Sequence, residues 1–98
     1  MADIALQDSM SLGESGLPPT LPLSNLSLKT RVNGKTVVLK NYTVYAPHPS
    51  GPPHTDQRMV TGGSSKAMIE GKYISRKGDS IADGDIINEG YSKVFIGG

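Results

Sequence analysis

The sequence predicts a small all-β domain with approximate threefold symmetry, and three observations support this prediction. A phrase of the form Lys-x-x-[Val/Ile]-x-Gly occurs within residues 29–35, 66–72 and 93–98. Glycine and proline are frequent, with 12 and 7 residues, and they divide the chain into short pieces. The pieces are rich in Val, Ile, Thr and Tyr, and none shows a convincing helical period.

The predicted strands are short and are bounded by Gly, Asn, Asp or Pro. They cover residues 27–32, 36–39, 42–45, 67–69, 73–76, 86–88 and 93–96. Asn33-Gly34 predicts a two-residue hairpin turn, because a type I′ turn needs positive φ at both positions. Glu70-Gly71 occupies the same place in the second copy of the phrase.

Proline-rich loops and polar turns connect these strands. Residues 15–23 and 47–53 each contain several prolines, so both are predicted to be extended loops without ladder hydrogen bonds. Asp8 and Asp79 are each followed by Ser, and we expect them to close equivalent Asx-type turns.

Length and composition restrict the possible functions. Residues 1–98 form one domain, whose apolar fraction of 36% is low and which contains no Trp. Such a domain needs support from a partner surface, from oligomerisation or from a metal. The net charge of +1 and the scattered Lys and Arg residues argue against nucleic-acid binding. Cysteine is absent, which excludes a disulfide framework.

The sequence also argues against secretion by a signal peptide and against catalysis. The N-terminal residues 1–8 have neither a basic region nor an apolar run, so they are not a signal peptide. No nucleophile motif or phosphate-binding loop is present, and we expect that the protein is not an enzyme.

Residues 71–79 resemble the signature of the PAAR (Pro-Ala-Ala-Arg) repeat proteins. In that family, Gly-Lys is followed by Pro-Ala-Ala-Arg, one further residue and Gly-Asp. Here Tyr-Ile-Ser stands in place of Pro-Ala-Ala. The residues that match are Gly71, Lys72, Arg76, Gly78 and Asp79.

The segments around this signature strengthen the resemblance. Residues 63–71 and 90–98, the second of which ends in Gly97-Gly98, are similar to the family phrase Gly-Ser-x-x-Val-x-Ile-x-Gly. The resemblance covers residues 60–98, and a fainter copy covers residues 8–39, where the arginine is missing.

The resemblance implies a small conical all-β fold with pseudo-threefold short hairpins. Relatives cap a trimeric β-helical spike in contractile phage tails and type VI secretion systems, one tip per trimer, and sharpen it for piercing the target envelope. It therefore implies a virion protein at the distal end of a tail spike, in transient contact with the target membrane. We expect the fold to use the whole sequence and to leave no room for an effector domain, which favours a phage tail over a secretion tip.

The resemblance also implies one transition metal, zinc or iron, near the apex. Relatives bind zinc there through three His and a Cys, and a ligand follows the Gly-Asp turn. Here those places hold Leu12 and Asp83, and the sequence has only two histidines, His48 and His54. The candidate ligands are His48, His54 and Asp83, with water or Asp56 as a fourth. The alternative is that both histidines are solvated loop residues.

A second function class remains open, namely a free-standing β-domain that binds a small ligand or calcium. Residues 83–85 read Asp-Gly-Asp, and Asp79 lies upstream. Their spacing does not fit an EF-hand, and turns that cap their own backbone explain them better. A spike tip and a free-standing domain differ in whether the protein forms a complex with a spike trimer.

Overall fold

The protein is all-β in the computed structural model, which describes residues 2–13, 19–46, 58–82 and 85–97. These residues contain no α-helix, and none of their segments forms a helix able to cross a membrane. The strands are β1 (Ala2–Ile4), β2 (Pro22–Ser24), β3 (Arg31–Val32), β4 (Lys35–Thr36), β5 (Val44–Tyr45), β6 (Arg58–Met59), β7 (Met68–Ile69), β8 (Lys72–Tyr73) and β9 (Tyr91–Ile96). The predicted fold class is confirmed.

Two hairpins form at the predicted turns. Strand β3 pairs with β4, and β7 pairs with β8, in the same antiparallel register. Asn33 and Gly34 have φ angles of 53° and 77°, and Glu70 and Gly71 have φ angles of 51° and 79°. Positive φ at both central residues defines the type I′ turn, so local sequence sets both hairpins.

The third copy of the phrase pairs with the opposite end of the chain. Strand β9 pairs with β1, so that Phe95 faces Asp3 as Met68 faces Tyr73 in the second hairpin. Gly90 precedes β9, and a Cβ there would lie 2.5 Å from the Cβ of Asp3. We call β3–β4 unit 1, β7–β8 unit 2 and β9–β1 unit 3; β3, β7 and β9 are the outer strands.

The strands that pair with the outer strands, which are β4, β8 and β1, continue into a closed ring. Isolated bridges join residues 4–6, 37–39 and 74–76 pairwise, and the last segment returns to the first. The central residues form a cycle of backbone hydrogen bonds: Val38 donates to Ala5 at 3.0 Å, Ala5 to Ser75 at 3.1 Å, and Ser75 to Val38 at 3.0 Å. Three equivalent units in one chain therefore surround a pseudo-threefold axis.

Equivalent side chains close the turn after each ring segment. Backbone N–H groups donate to Ser9 Oγ, Thr43 Oγ1 and Asp79 Oδ2 at 2.9, 2.8 and 2.7 Å. The predicted turn at Asp79 is found, but its equivalent is Ser9 and not Asp8, which instead pairs with Lys35 at 2.5 Å. The prediction for Asp8 is wrong by one residue.

Each face of the ring carries a hydrophobic core, because neighbouring ring residues point to opposite faces. The first core contains Ala5 and Val38 and continues into Tyr45, Val60, Ile81 and Ile87. The second core contains Ile4, Leu6, Val37, Leu39 and Ile74. Partly buried hydrophobic residues of the three units surround the second core.

A three-stranded sheet of order β2-β5-β6 supplies part of the first core. Strand β2 begins at Pro22, so the prediction of a loop through residues 15–23 is wrong at its end. Proline is tolerated there because β2 is an edge strand whose pairing with β5 is irregular. The short strands β1 and β6 were not predicted from sequence either.

Candidate functional site

The outer strands of the three units form the candidate functional site. Their inward residues Val32, Ile69 and Ile96 are partly buried against the second core. The preceding residues, which are Arg31, Met68 and Phe95, are exposed. We call the outer surface of these three strands the hairpin face.

The hairpin face exposes large apolar side chains. Met68 is 49% exposed and Phe95 is 54% exposed, at equivalent places in units 2 and 3. Leu28, which precedes the outer strand of unit 1, is 75% exposed. Three of the seven large apolar side chains that are exposed among the described residues therefore lie on or beside this face.

Each unit contacts the next one around the ring. Glu70, at the turn of unit 2, accepts hydrogen bonds from the backbone N–H groups of residues 28–30 in unit 1, at 2.8, 3.1 and 2.9 Å. Ser64 donates to the Gly97 carbonyl at 2.6 Å, which joins unit 2 to unit 3. The hairpin turns and the bends before the outer strands therefore lie side by side.

The carboxylate of Glu70 makes the contact between units 1 and 2 sensitive to acid. Hydrogen bonds from the backbone N–H groups of Leu28, Thr30 and Lys29 lower the pKa of Glu70 from 4.5 to about 2. A pKa that folding lowers adds stability above the unfolded-state value, and that stability is lost as the pH falls through the folded-state value. The contribution of Glu70 is thus lost between about pH 4.5 and pH 2.

We expect Glu70→Gln to lower the melting temperature at neutral pH. The difference from the unmodified protein should shrink as the pH falls to about 2, where Glu70 becomes protonated. Thermal unfolding followed by circular dichroism over this pH range measures both effects. Glu89→Gln is the matched control, since Glu89 accepts one backbone hydrogen bond, from Met10. A difference that is independent of pH would contradict the assignment.

The residues of the predicted family signature have structural roles between the units. Gly71 and Gly78 have φ angles of 79° and 93°, which favour glycine. The ammonium of Lys72 lies 4.3 Å from the ring centroid of Tyr42. Arg76 forms an ion pair with Asp79 at 3.1 Å, and the hydrogen bonds that Arg76 donates to this carboxylate raise the pKa of Arg76.

The Arg76 side chain also joins units 2 and 3. Its Nη1 atom donates to the carbonyl of Gly97 at 3.4 Å. In the ring, Arg76 stands where units 3 and 1 have Leu6 and Leu39. At this ring position the other two units have a leucine, whereas the arginine of the signature makes a hydrogen bond between units.

A buried ion pair lies on the side of the first core. Arg58 Nη1 is 2.8 Å from Asp85 Oδ2, and the side chains are 4% and 0% exposed. Arg58 also donates to Thr20 Oγ1 and to the Ala46 carbonyl. Asp85 Oδ1 accepts from the backbone N–H groups of Gly13 and Ile86 at 3.0 and 2.8 Å. The pair joins four segments that are distant in sequence.

The electrostatics of this pair follow from its hydrogen bonds. Burial by itself raises the pKa of Asp85, but the hydrogen bonds from Arg58, Ile86 and Ser11 outweigh it and hold the pKa below its ordinary value. Asp85 is therefore ionised in the interior. The pair has no signal in the sequence, because Arg58 belongs to no motif and Asp85 ends an Asp-Gly-Asp run that is typical of a polar turn.

The predicted metal ligands lie outside the described residues. His48, His54 and the alternative ligand Asp56 fall in the gap at residues 47–57, Asp83 falls in the gap at 83–84, and Gly98 follows the last described residue. Among the described residues, no three His, Cys, Asp or Glu side chains form a group that could hold a metal. A zinc or iron site at the apex stays a prediction from the sequence.

No protein-family model matches the chain, and no curated protein is significantly similar to it in sequence. Membership of the PAAR family therefore also stays a prediction, based on the residues at 60–98.

Proposed function

We propose that this protein is a structural tip that caps the trimeric β-helical spike of a contractile injection machine, most naturally a phage tail, as one copy per trimer. In this role it sharpens the spike for piercing the target envelope and contacts the membrane transiently. The observation that carries the proposal is the closed ring of three equivalent units in a single chain. The resemblance of residues 60–98 to PAAR proteins supports it.

A trimer poses a geometric problem for a single capping chain, because its three identical ends need three similar contacts. Units 1 to 3 supply such contacts, since Val32, Ile69 and Ile96 occupy the same register position. Exposed strand edges can also continue the strands of a partner through backbone hydrogen bonds. The apolar residues of the hairpin face would then be covered.

Co-expression with the trimeric β-helical spike protein of the same contractile machine tests the proposal. We expect a stable complex that contains one copy of this protein and three spike chains, measured by native mass spectrometry. Phe95→Asp should weaken this complex, because it places a charge where the complex would bury the exposed Phe95 ring against the spike. Leu21→Asp is the matched control, since Leu21 is 46% exposed beside the sheet of β2, β5 and β6. The proposal fails if no complex forms or if three copies bind one trimer.

The alternative, a free-standing domain for a small ligand, has less support. A depression lined by Asp8, Lys35, Lys77 and Glu89 is present among the described residues. Its carboxylates already have partners, because Asp8 pairs with Lys35 and Glu89 accepts from the Met10 N–H. A free-standing domain would stay monomeric in the presence of the spike protein.

A further inference from the structure

Three lysines occupy the same place in the three units. Lys29, Lys66 and Lys93 are the first residues of the repeated phrase, and all three are exposed. In units 1 and 2 the chain bends at these lysines, just before the outer strand. In unit 3, Ile4 pairs with Tyr91 and Asp3 with Phe95, so residues 92–94 bulge out of the ladder at the matching place. The lysines therefore form a pseudo-threefold set beside the hairpin face.

Most of the carboxylates among the described residues have other partners. Asp8, Asp79 and Asp85 form ion pairs with other cations. Glu70 approaches Lys29, but it accepts the backbone N–H group of that residue. Within the part of the chain that the structure describes, no ion pair involves any of the three lysines. One positive charge per unit is therefore available to a partner.

We infer that the three lysines bind a matching set of carboxylates on the end of the trimeric partner, at least one from each of its chains. The inference rests on the proposed function and identifies the chemistry of the surface that the hairpin face meets. The threefold placement favours a symmetric protein partner, because an anionic membrane would not require one cation at the same place in each unit. A charge on every unit also attracts the partner equally in all three orientations.

Exposed ion pairs of this kind affect association more than final affinity. Each pair contributes little to stability, but together they steer the encounter of two surfaces and lose strength as salt screens them. The inference therefore predicts fast, salt-sensitive association. The apolar contacts of the hairpin face would determine how slowly the complex dissociates.

The test compares two double charge reversals in the full chain. Lys66→Glu with Lys93→Glu removes two of the three cations. Lys40→Glu with Lys77→Glu makes the same change in net charge and serves as the control. Lys40 and Lys77 also occupy equivalent places in two units, since their N–H groups donate to the carbonyls of Tyr73 and Asp3. Circular dichroism and melting temperature check that both variants fold.

The probe is the spike trimer of the same contractile machine, with association followed by stopped flow or surface plasmon resonance. At low ionic strength we expect the association rate of the Lys66/Lys93 variant to fall by about tenfold or more, and that of the control to fall far less. The salt dependence of the association rate should be steep for the unmodified protein and shallow for the Lys66/Lys93 variant.

Three other outcomes would overturn the inference. If the unmodified protein binds the trimer and both variants associate at the same rate as it does, the lysines have no such role, although the proposed function stands. If only the Lys66/Lys93 variant loses binding to phosphatidylglycerol vesicles while its association with the trimer is unchanged, the lysines serve a membrane surface. If the unmodified protein does not bind the trimer at all, both the inference and the proposed function fail.

Discussion

Asp85→Asn is expected to lower the free energy of unfolding by about 3–5 kcal/mol, because it removes the carboxylate that pairs with Arg58 in the interior. The side chains of the pair are 4% and 0% exposed, so water does not replace the lost partner easily. The backbone N–H groups of Gly13 and Ile86 lose a charged acceptor as well. Urea denaturation followed by circular dichroism measures the change.

The exposed ion pair between Lys35 and Asp8 provides the matched control. Its side chains are 39% and 58% exposed, and Asp8→Asn should cost less than about 1 kcal/mol. If Asp85→Asn lowers the free energy of unfolding as little as Asp8→Asn does, the interior pair does not stabilise the fold. A further variant that combines Arg58→Met with Asp85→Leu should recover part of the lost stability, because no buried charge is left.

Leu39→Ala is the second substitution with a large expected effect, a loss of about 2–5 kcal/mol in the free energy of unfolding. Leu39 is 1% exposed and belongs both to the ring and to the second core. Its truncation leaves a cavity where the three units meet, and the ring hydrogen bonds limit how far the units can move to fill it.

Leu28→Ala is the control for this substitution, since Leu28 is 75% exposed and should change the stability by less than about 0.5 kcal/mol. Urea denaturation of both variants at the same protein concentration makes the comparison. Equal effects of the two substitutions would show that the second core does not stabilise the fold. In complex with the spike trimer, Leu28→Ala has the further use of testing whether Leu28 is a contact residue.

The features that could be predicted from sequence are those set by neighbouring residues. Asn33-Gly34 and Glu70-Gly71 determine their hairpins locally, because the turn conformation is a property of those two residues. The repeated phrase also predicts the number of units correctly. Its third copy is not part of a local hairpin, because the partner strand comes from residues 2–4.

The ring itself could not be derived in this way. Its segments are three residues long and read Ile-Ala-Leu, Val-Val-Leu and Ile-Ser-Arg, which share no periodic pattern. The turn after residue 39 has one residue more than the turn after residue 6, since Thr43 and Ser9 have the same role. Asp8 and Asp79 both precede a serine, but the residue equivalent to Asp79 is Ser9, so the shared Asp-Ser pair predicts the wrong residue by one place.

The sequence predicts the signature residues of the candidate site but not the buried ion pair. The family resemblance singles out Gly71 and Gly78, and their positive φ explains why glycine stands at both places. The buried pair was missed because Arg58 and Asp85 are distant in sequence and meet only in the folded chain. A charged residue in a short strand has no local signal that distinguishes burial from exposure.

The pairing of β1 with β9 has a consequence for how the chain folds during synthesis. Strand β1 pairs only with β9, so unit 3 cannot form until residues 91–96 have left the ribosome. Contacts between such distant residues slow folding, because the long loop between them must be ordered first. Until then the edge of β1 is unpaired, and an unpaired edge invites aggregation. The nascent chain therefore depends on β9 to cover this edge.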